Sequence, residues 1–541
     1  MKASDAVAKI LKAEGIANLF CYPVTPMTEA AARADIRPIV VRQERIGLHM
    51  ADAVSRLSSG RDIGVFAMQH GPGTENAFGG VAQAYSESVP MLVLPTGYAR
   101  NQRQVAPAFD SVRNFAHVSK LAESVAYAAD IPNVFRRAFT ALRSGRGGPV
   151  VIEVPRDVFN EDIADDFAYT PARPVRYGPD PKDVEAAVKM LLAAKQPMIY
   201  AGQGVHYAQA WKDLKELAEL LALPVMTSIP GKSALSETHP LSLGCGGRAV
   251  PKTVREFLAA TDLIFGIGCS FTETGFGVSM PKGKAIIHAT LDPMHLGKDV
   301  QPTLGLVGDA QLVLRAMIDC AKQTVKAPKD SKAIAAKIAA SKEAWHAEWK
   351  AKMSDQSSPL NPYRVMAELM KAVDVKTTII THDAGLPRDQ LTPFWCPTEP
   401  LSFLGWGKTT QLGYSLGLAL GAKVAYPDKL CINYWGDAAI GFTGMDFETA
   451  VRERLPILSI LCNNFSMATE IGVMNQSHEK YGTMNISGNY ADLAKALGGY
   501  GERVEKPGDI ATAIKRGIEQ TKKGTPALLE FITQQEVAFP K

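Results

Sequence analysis

Short apolar runs recur along the chain, each closed by a polar or glycine-rich turn and followed by residues at helical spacing. In the N-terminal third the runs Asn18 to Tyr22, Pro38 to Arg42, Ile63 to Met68, Met91 to Leu94 and Val150 to Val154 predict strands, with a helix over Arg45 to Ser58. The middle third repeats the pattern at Pro197 to Ala201, Leu263 to Gly268 and Ala285 to Leu291. In the last third, Thr377 to His382, Cys431 to Trp435, Ile457 to Cys462 and Ala527 to Ile532 read as strands, and Met445 to Arg454 as a helix stopped by Pro456. Strands that are apolar throughout belong to parallel sheets covered on both faces. The alternation therefore predicts an α/β protein of three doubly wound domains, over residues 1–172, 181–325 and 361–541. Residues 326–360, rich in Lys, Ala and Ser, read as a solvated linker with one helix.

Composition narrows the class. A chain of 541 residues is too long for one core. It is 46% hydrophobic and 21% charged with a net charge of +4, and no basic run or aromatic-interleaved patch suggests a nucleic-acid partner. Seven cysteines without CxxC spacing read as reduced thiols, not as a zinc site or disulfide framework. The amphipathic N-terminus, capped at Ser4, lacks a signal core, and no window has the apolar length of a membrane span. A cytoplasmic enzyme with a small-molecule substrate, without nucleic acid or membrane, is the expectation.

Parallel sheets bind ligands beyond the carboxyl ends of their strands. Asp437 and Asn464 are 27 positions apart, yet each ends a strand of one βαβ unit. A carboxylate, an amide oxygen and a backbone carbonyl near Ser466 suit Mg²⁺, which completes its octahedron with phosphate oxygens and water. Small residues at Gly436, Ala438 and Gly441 let a diphosphate approach the backbone. Taken locally, Asp and Asn in these places read equally well as turn residues.

The same stretch resembles the thiamine diphosphate signature, which begins GDG and ends NN after a fixed interval. Here Gly436-Asp437 opens it, Ala438 replaces the third glycine, and Asn463-Asn464 closes it. The resemblance implies thiamine diphosphate and Mg²⁺ as cofactors, with Asp437, Asn464 and the Ser466 carbonyl as metal ligands and Gly436, Ala438, Ala439, Met467, Asp383 and Pro23 in the cofactor pocket. VVRQERIGLHMADA, around Glu44, is similar to the RHEQGAAHMA block of acetolactate synthases and the LQEA block of benzoylformate decarboxylase. Locally Glu44 reads as a helix N-terminal glutamate favoured by the dipole. The resemblance instead has it hydrogen-bond N1′ of the cofactor's aminopyrimidine and favour the imino tautomer. QHGPGTEN, residues 69–76, is similar to the SGPGATNA loop, with His70 matching a proton-transferring histidine of benzoylformate decarboxylase. His70 reads equally as a loop histidine bonded to backbone. Thr25, after Val24 where a glycine is common, falls where relatives face the substrate. In FLGWGKTTQLGYSLGLALGAKVAYPD, Leu412 stands at the residue that bends the cofactor, or is ordinary core.

In acetolactate synthases the central domain binds FAD. The segment corresponding to the family's RFDDR is Ser270 to Thr274 and carries no arginine, so FAD is not expected, and an empty pocket or an ADP-type ligand is. The implied reaction is cleavage and formation of a carbon–carbon bond on a 2-oxo acid by an acetolactate synthase-like carboligase. The alternatives are a benzoylformate-type decarboxylase and, because GDAAIGFTGMDFET resembles GDSAFGFSGMEIET, a lyase or decarboxylase of acyl-CoA substrates. A paralogue without catalysis is a further alternative. The resemblance also implies a homodimer or homotetramer with active sites at the subunit interface.

Overall fold

The computed structural model describes all residues, Met1–Lys541. Its strands form three sheets of six, parallel throughout. The first holds β1 (Asn18–Cys21), β2 (Arg37–Val40), β3 (Gly64–Met68), β4 (Met91–Gly97), β5 (Leu121–Ser124) and β6 (Pro149–Pro155), in the order β2-β1-β3-β4-β6-β5. The second holds β7 (Pro197–Ala201), β8 (Val225–Ser228), β9 (Ser242–Gly246), β10 (Leu263–Ile267), β11 (Ala285–Thr290) and β12 (Leu304–Val307), ordered β12-β11-β10-β7-β8-β9. The third holds β13 (Thr378–His382), β14 (Phe403–Leu404), β15 (Leu430–Gly436), β16 (Leu458–Asn463), β17 (Tyr500–Val504) and β18 (Ala527–Ile532), ordered β14-β13-β15-β16-β18-β17. The first and third sheets thus share one winding order, and the second has the order of a dinucleotide fold. In each, the winding direction reverses between two neighbouring strands: β1 and β3, β7 and β10, β13 and β15.

Apart from the edge strand β2, the strands predicted from the sequence are central ones, and most of their residues are buried. β3, β4 and β6 are buried at every position. Those missed have other patterns. β5, β12 and β17 lie on sheet edges with partly exposed residues, and β14 is an edge of two residues. β8 and β9 are buried, but Thr, Ser and Gly interrupt their apolar runs. Helices cover the sheets with apolar stripes. Ile131–Arg143 buries Ile131, Val134, Phe135, Ala138, Phe139 and Leu142, one face at the 3.6-residue period, while Arg136 and Arg137 are exposed. The N-terminal helix starts at Ala3 with Lys2 as N-cap and no side-chain cap, so Ser4, buried within it, is not the cap expected. The helix expected over Met445 to Arg454 is shorter, Phe447–Arg452 after a 3₁₀ turn at Gly444–Asp446, and a separate helix, Asp437–Thr443, precedes them.

The chain divides into two compact units. One comprises Met1–Val175 with two excursions of the C-terminal third, Leu416–Asp428 and Thr443–Leu455. Within it, Asp446 accepts a bond from the Arg42 amide at 2.8 Å, and Arg37 pairs with Glu453 at 2.9 Å. The other comprises Arg176–Ser415, Lys429–Phe442 and Pro456–Lys541, and so holds the second and third sheets. In this unit the helix Lys332–Met353 is more than a solvated linker. It buries Ile338 against the second sheet's side chains, and stacks Trp345 on Phe394 at 4.5 Å beside the third sheet. The Lys and Glu run seen in the sequence is its exposed face.

Candidate active site

β15 runs directly into the helix Asp437–Thr443, so Asp437 stands at the strand's carboxyl end with its carboxylate held by amides. Oδ1 accepts from the Ala438 N–H at 2.9 Å and Oδ2 from the Ser466 N–H at 3.2 Å. Burial pushes this carboxyl up to about 6, against the lowering effect of those amides. Buried carboxylates are stabilised by a nearby cation.

The two asparagines that close β16 have different jobs. Asn463 is fully buried; its amide donates to Glu530 at 2.7 Å, and its oxygen accepts from the Phe465 N–H. Asn464 faces the cavity, and its oxygen accepts from the Ser466 N–H at 3.0 Å. Phe465 between them has φ 56°, a left-handed conformation that turns the chain sharply. Ser466 bridges antiparallel to Asn485, but the ladder bonds fall on its neighbours: Ile486 N–H to the Phe465 carbonyl and Met467 N–H to the Met484 carbonyl. The Ser466 amide is thereby turned to Asp437 and Asn464, and its carbonyl accepts no bond from the protein. No group of three or more His, Cys, Asp or Glu side chains capable of holding a metal occurs. A carboxylate, an amide oxygen and an open carbonyl are nevertheless the oxygen donors that Mg²⁺ takes when phosphate and water complete its shell.

These groups open on one cavity of about 240 Å³. Gly436, Asp437, Ala438, Ala439, Leu412, Asn464, Ser466 and Met467 all line it, so the structure brings together eight residues singled out in the sequence. Asp383 is a correction. It is fully buried behind the wall, and its carboxylate accepts four internal bonds: from the N–H groups of Ala384 (2.8 Å), Gly413 (2.9 Å) and Ser415 (3.0 Å), and from the Ser415 hydroxyl (2.6 Å). Its neighbours Ala384 and Gly385 line the cavity instead. Asp383 therefore ties the turn after β13 to the segment that carries Leu412. Sequence reasoning missed Arg388, Thr410, Arg248 and Phe276, which also line the cavity. The available signal was an Arg-Asp pair just past a strand end that already drew attention.

In the other unit the predicted residues gather beyond β1, β2 and β3. Glu44 begins the helix Glu44–Leu57 and is 3% exposed. Burial raises its carboxyl above the ordinary range, opposed by its own backbone amide and by Asn76. A Cβ on Gly73 would sit 3.2 Å from Glu44 Oε1 and 2.8 Å from Gln69 Cγ, so the turn after β3 lies against the carboxylate. Gly71 in that turn has φ 62°, and a Cβ there would meet the Tyr98 hydroxyl at 2.7 Å; only glycine fits. His70 lies edge-on to Tyr98, ring centroids 4.6 Å apart, with Nδ1 unpartnered. Burial, then the charge of Arg156, holds it below the usual histidine range, so it is neutral near pH 7. The turn after β1 exposes Pro23 and Val24, while Thr25 is buried, bonds Thr96 at 3.1 Å and caps the helix Pro26–Arg33. Val24, where a glycine is common, has φ 71°, a strained conformation for a β-branched residue.

The second sheet has glycines at its own reversal point, but they serve backbone packing. A Cβ on Gly202 would lie 2.4 Å from the Gly268 carbonyl oxygen, and the Gly204 N–H donates to that oxygen at 2.8 Å. Phe271 folds its ring over Gly266 and against His288, centroids 4.9 Å apart.

Comparison with known proteins matches three domain families in order: the thiamine pyrophosphate enzyme N-terminal TPP binding domain over residues 1–119, the central domain over 184–317, and the C-terminal TPP binding domain over 383–531. A probable acetolactate synthase large subunit of Methanococcus aeolicus is 32% identical over 98% of this chain and 92% of its own length. The acetolactate synthase isozyme 3 large subunit of Escherichia coli K12 is 28% identical, covering 96% of this chain and 93% of its own. A glyoxylate carboligase of Escherichia coli O157:H7 is 29% identical, covering 99% and 93%.

Proposed function

The chain belongs to the thiamine pyrophosphate-dependent enzymes, and from that premise we propose that it is a carboligase of the acetolactate synthase kind that acts on 2-oxo acids. The observation that carries this reading is the single cavity on which Asp437, Asn464 and the Ser466 carbonyl converge beside Leu412. Relatives of nearly full length, named as synthases and a carboligase, support the choice of reaction.

Thiamine diphosphate, when bound, supplies a nucleophilic carbon and an electron sink for breaking and making the bond next to a carbonyl. The protein's share is orientation and electrostatics. Asp437, Asn464 and the Ser466 carbonyl would hold Mg²⁺, and the small residues Gly436, Ala438 and Ala439 would leave room for the diphosphate. Leu412, on the cavity wall, would bear on the cofactor's rings. Glu44, whose carboxyl burial raises above the ordinary range, would hydrogen-bond the pyrimidine nitrogen. His70, neutral and with Nδ1 unpartnered, exchanges protons with the reacting substrate. This reading leaves FAD out, because Ser270 to Thr274 carries no arginine where acetolactate synthases contact a flavin. The active assembly is a homodimer or homotetramer in the cytoplasm, with Glu44 and Thr25 of one subunit serving the metal site of another.

Incubation of the purified protein with thiamine diphosphate, Mg²⁺ and pyruvate, followed by NMR without added flavin, tests the reading. Acetolactate is the expected product. Acetaldehyde alone would favour a second reading, a 2-oxo acid decarboxylase, to which the unpartnered His70 already points. No pyruvate consumption with cofactor bound would refute the proposed reaction and turn the search to aryl 2-oxo acids and acyl-CoA substrates.

A further inference from the structure

Beyond the metal and diphosphate residues, the cavity wall contains a buried cation. Arg388 is 1% exposed, on the short helix Leu386–Leu391. Asp389, also 1% exposed, holds its guanidinium side-on: Nε to Oδ1 at 2.7 Å and Nη2 to Oδ2 at 3.1 Å. Nη1 donates to the Thr410 hydroxyl at 3.0 Å, and the Phe276 ring covers one face at 4.6 Å. Three of the five N–H groups are thus used, leaving one on each terminal nitrogen. Free N–H groups on a guanidinium's terminal nitrogens are what a carboxylate or a phosphate oxygen takes.

Charge accounting points the same way. Arg248 reaches Asp389 Oδ2 at 3.6 Å, so two cations share one carboxylate. The other acids on the wall are engaged elsewhere or apart: Glu536 pairs with Lys352, Asp437 accepts backbone amides, and Glu470 makes no ion pair with either arginine. A buried positive charge without full compensation is costly, and an arriving anion removes the cost. We propose that Arg388, supported by Arg248, is an anion-binding residue of this cavity that takes a carboxylate or phosphate oxygen end-on. It deepens the function proposed above and rests on it for the identity of the ligand. Two sources supply such an oxygen: the cofactor's diphosphate and the carboxylate of a 2-oxo acid.

Calorimetry of thiamine diphosphate with Mg²⁺, and steady-state kinetics with pyruvate at saturating cofactor, separate them in the variants Arg388→Gln and Arg248→Gln. If the diphosphate is held, Arg388→Gln binds the cofactor about 10- to 100-fold more weakly with KM for pyruvate unchanged. If the carboxylate is held, cofactor affinity stays and KM rises by about the same factor, with kcat far less affected. Arg248, 42% exposed, is replaceable without burying a new void, and its variant shows about a threefold effect in the same arm. Should Arg388→Gln fail to fold, the Arg248 variant decides. Unchanged cofactor affinity and unchanged KM in folded variants overturn the inference. If the parent turns over no 2-oxo acid, the proposed reaction fails and the cofactor titration alone decides this one.

Discussion

Replacing Asp383 tests how the cavity wall is built. Its carboxylate is fully buried and accepts four bonds, two on each oxygen. Asp383→Ala leaves four donors without a partner at the turn after β13 and at the start of the helix Tyr414–Ala425. A hydrogen bond to a charged acceptor contributes about 1.5–3 kcal/mol, and unsatisfied donors add to the cost of losing it. Bonds that share one carboxylate are not additive, so the expected loss is about 4–6 kcal/mol, the range of buried-network disruptions. Asp383→Asn keeps one oxygen for Ala384 and Gly413. It sets an NH₂ against the Ser415 N–H, while the Ser415 hydroxyl can turn to accept; about half the loss follows. At about 1–2 °C per kcal/mol for a body of this size, the Ala variant melts about 5–10 °C below the parent, and the Asn variant about half as far below. Scanning calorimetry of the cofactor-free protein reads both. Thiamine diphosphate titrations of the same samples should show weakened binding, because Ala384, Gly385 and Leu412 lose their tether while the metal ligands remain. Midpoints within 2 °C of the parent for both variants, or an Asn variant as unstable as the Ala one, would refute the clamp.

Further outcomes follow from the geometry. Glu44→Gln should lower turnover about 10²–10⁴-fold with cofactor affinity nearly retained; equal rates on a confirmed substrate would remove Glu44 from the chemistry. Asp437→Ala should abolish the Mg²⁺-dependent part of cofactor binding in calorimetry, and an unchanged isotherm would mean the metal lies elsewhere. Trp345→Ala should destabilise by about 3–5 kcal/mol through loss of the stack on Phe394, whereas a neutral result would return this helix to the role of a spacer. Burial, opposed by a bond with the Cys269 carbonyl, holds His288 below the usual histidine range. The unfolded chain therefore takes up that proton first, and the native state loses stability as pH falls through about 6.5. The stability difference between parent and His288→Gln should be flat at alkaline pH and move against the parent on acidification; a pH-independent difference would be the contrary result.

The central strands and the residues at their carboxyl ends were legible because one physical signal marks both. A strand buried on two faces must be apolar throughout, and a polar residue directly after it stands at the open end of the sheet. Gly436, Asp437, Ala438, Asn464 and Ser466 could be found that way, with family resemblance supplying their chemistry. Edge strands such as β5 and β17 have one side free of neighbours, so no continuous apolar run announces them.

What the chain alone determined was its three-fold α/β plan, its cofactor class and the polar residues at the strand ends, since these depend on local periodicity and short spacings. Tertiary structure alone decided the rest, because each case turns on partners distant in sequence. Asp383, 30 to 32 residues from Gly413 and Ser415, turns away from the cavity because those donors capture it. The glycines at the second sheet's reversal point serve close backbone packing because Gly202 meets Gly268 there. Arg388 becomes a buried cation facing a cavity only when Phe276 and Arg248 close over it and Asp389. Burial and charge balance are sums over all neighbours, and only the folded chain defines who those neighbours are.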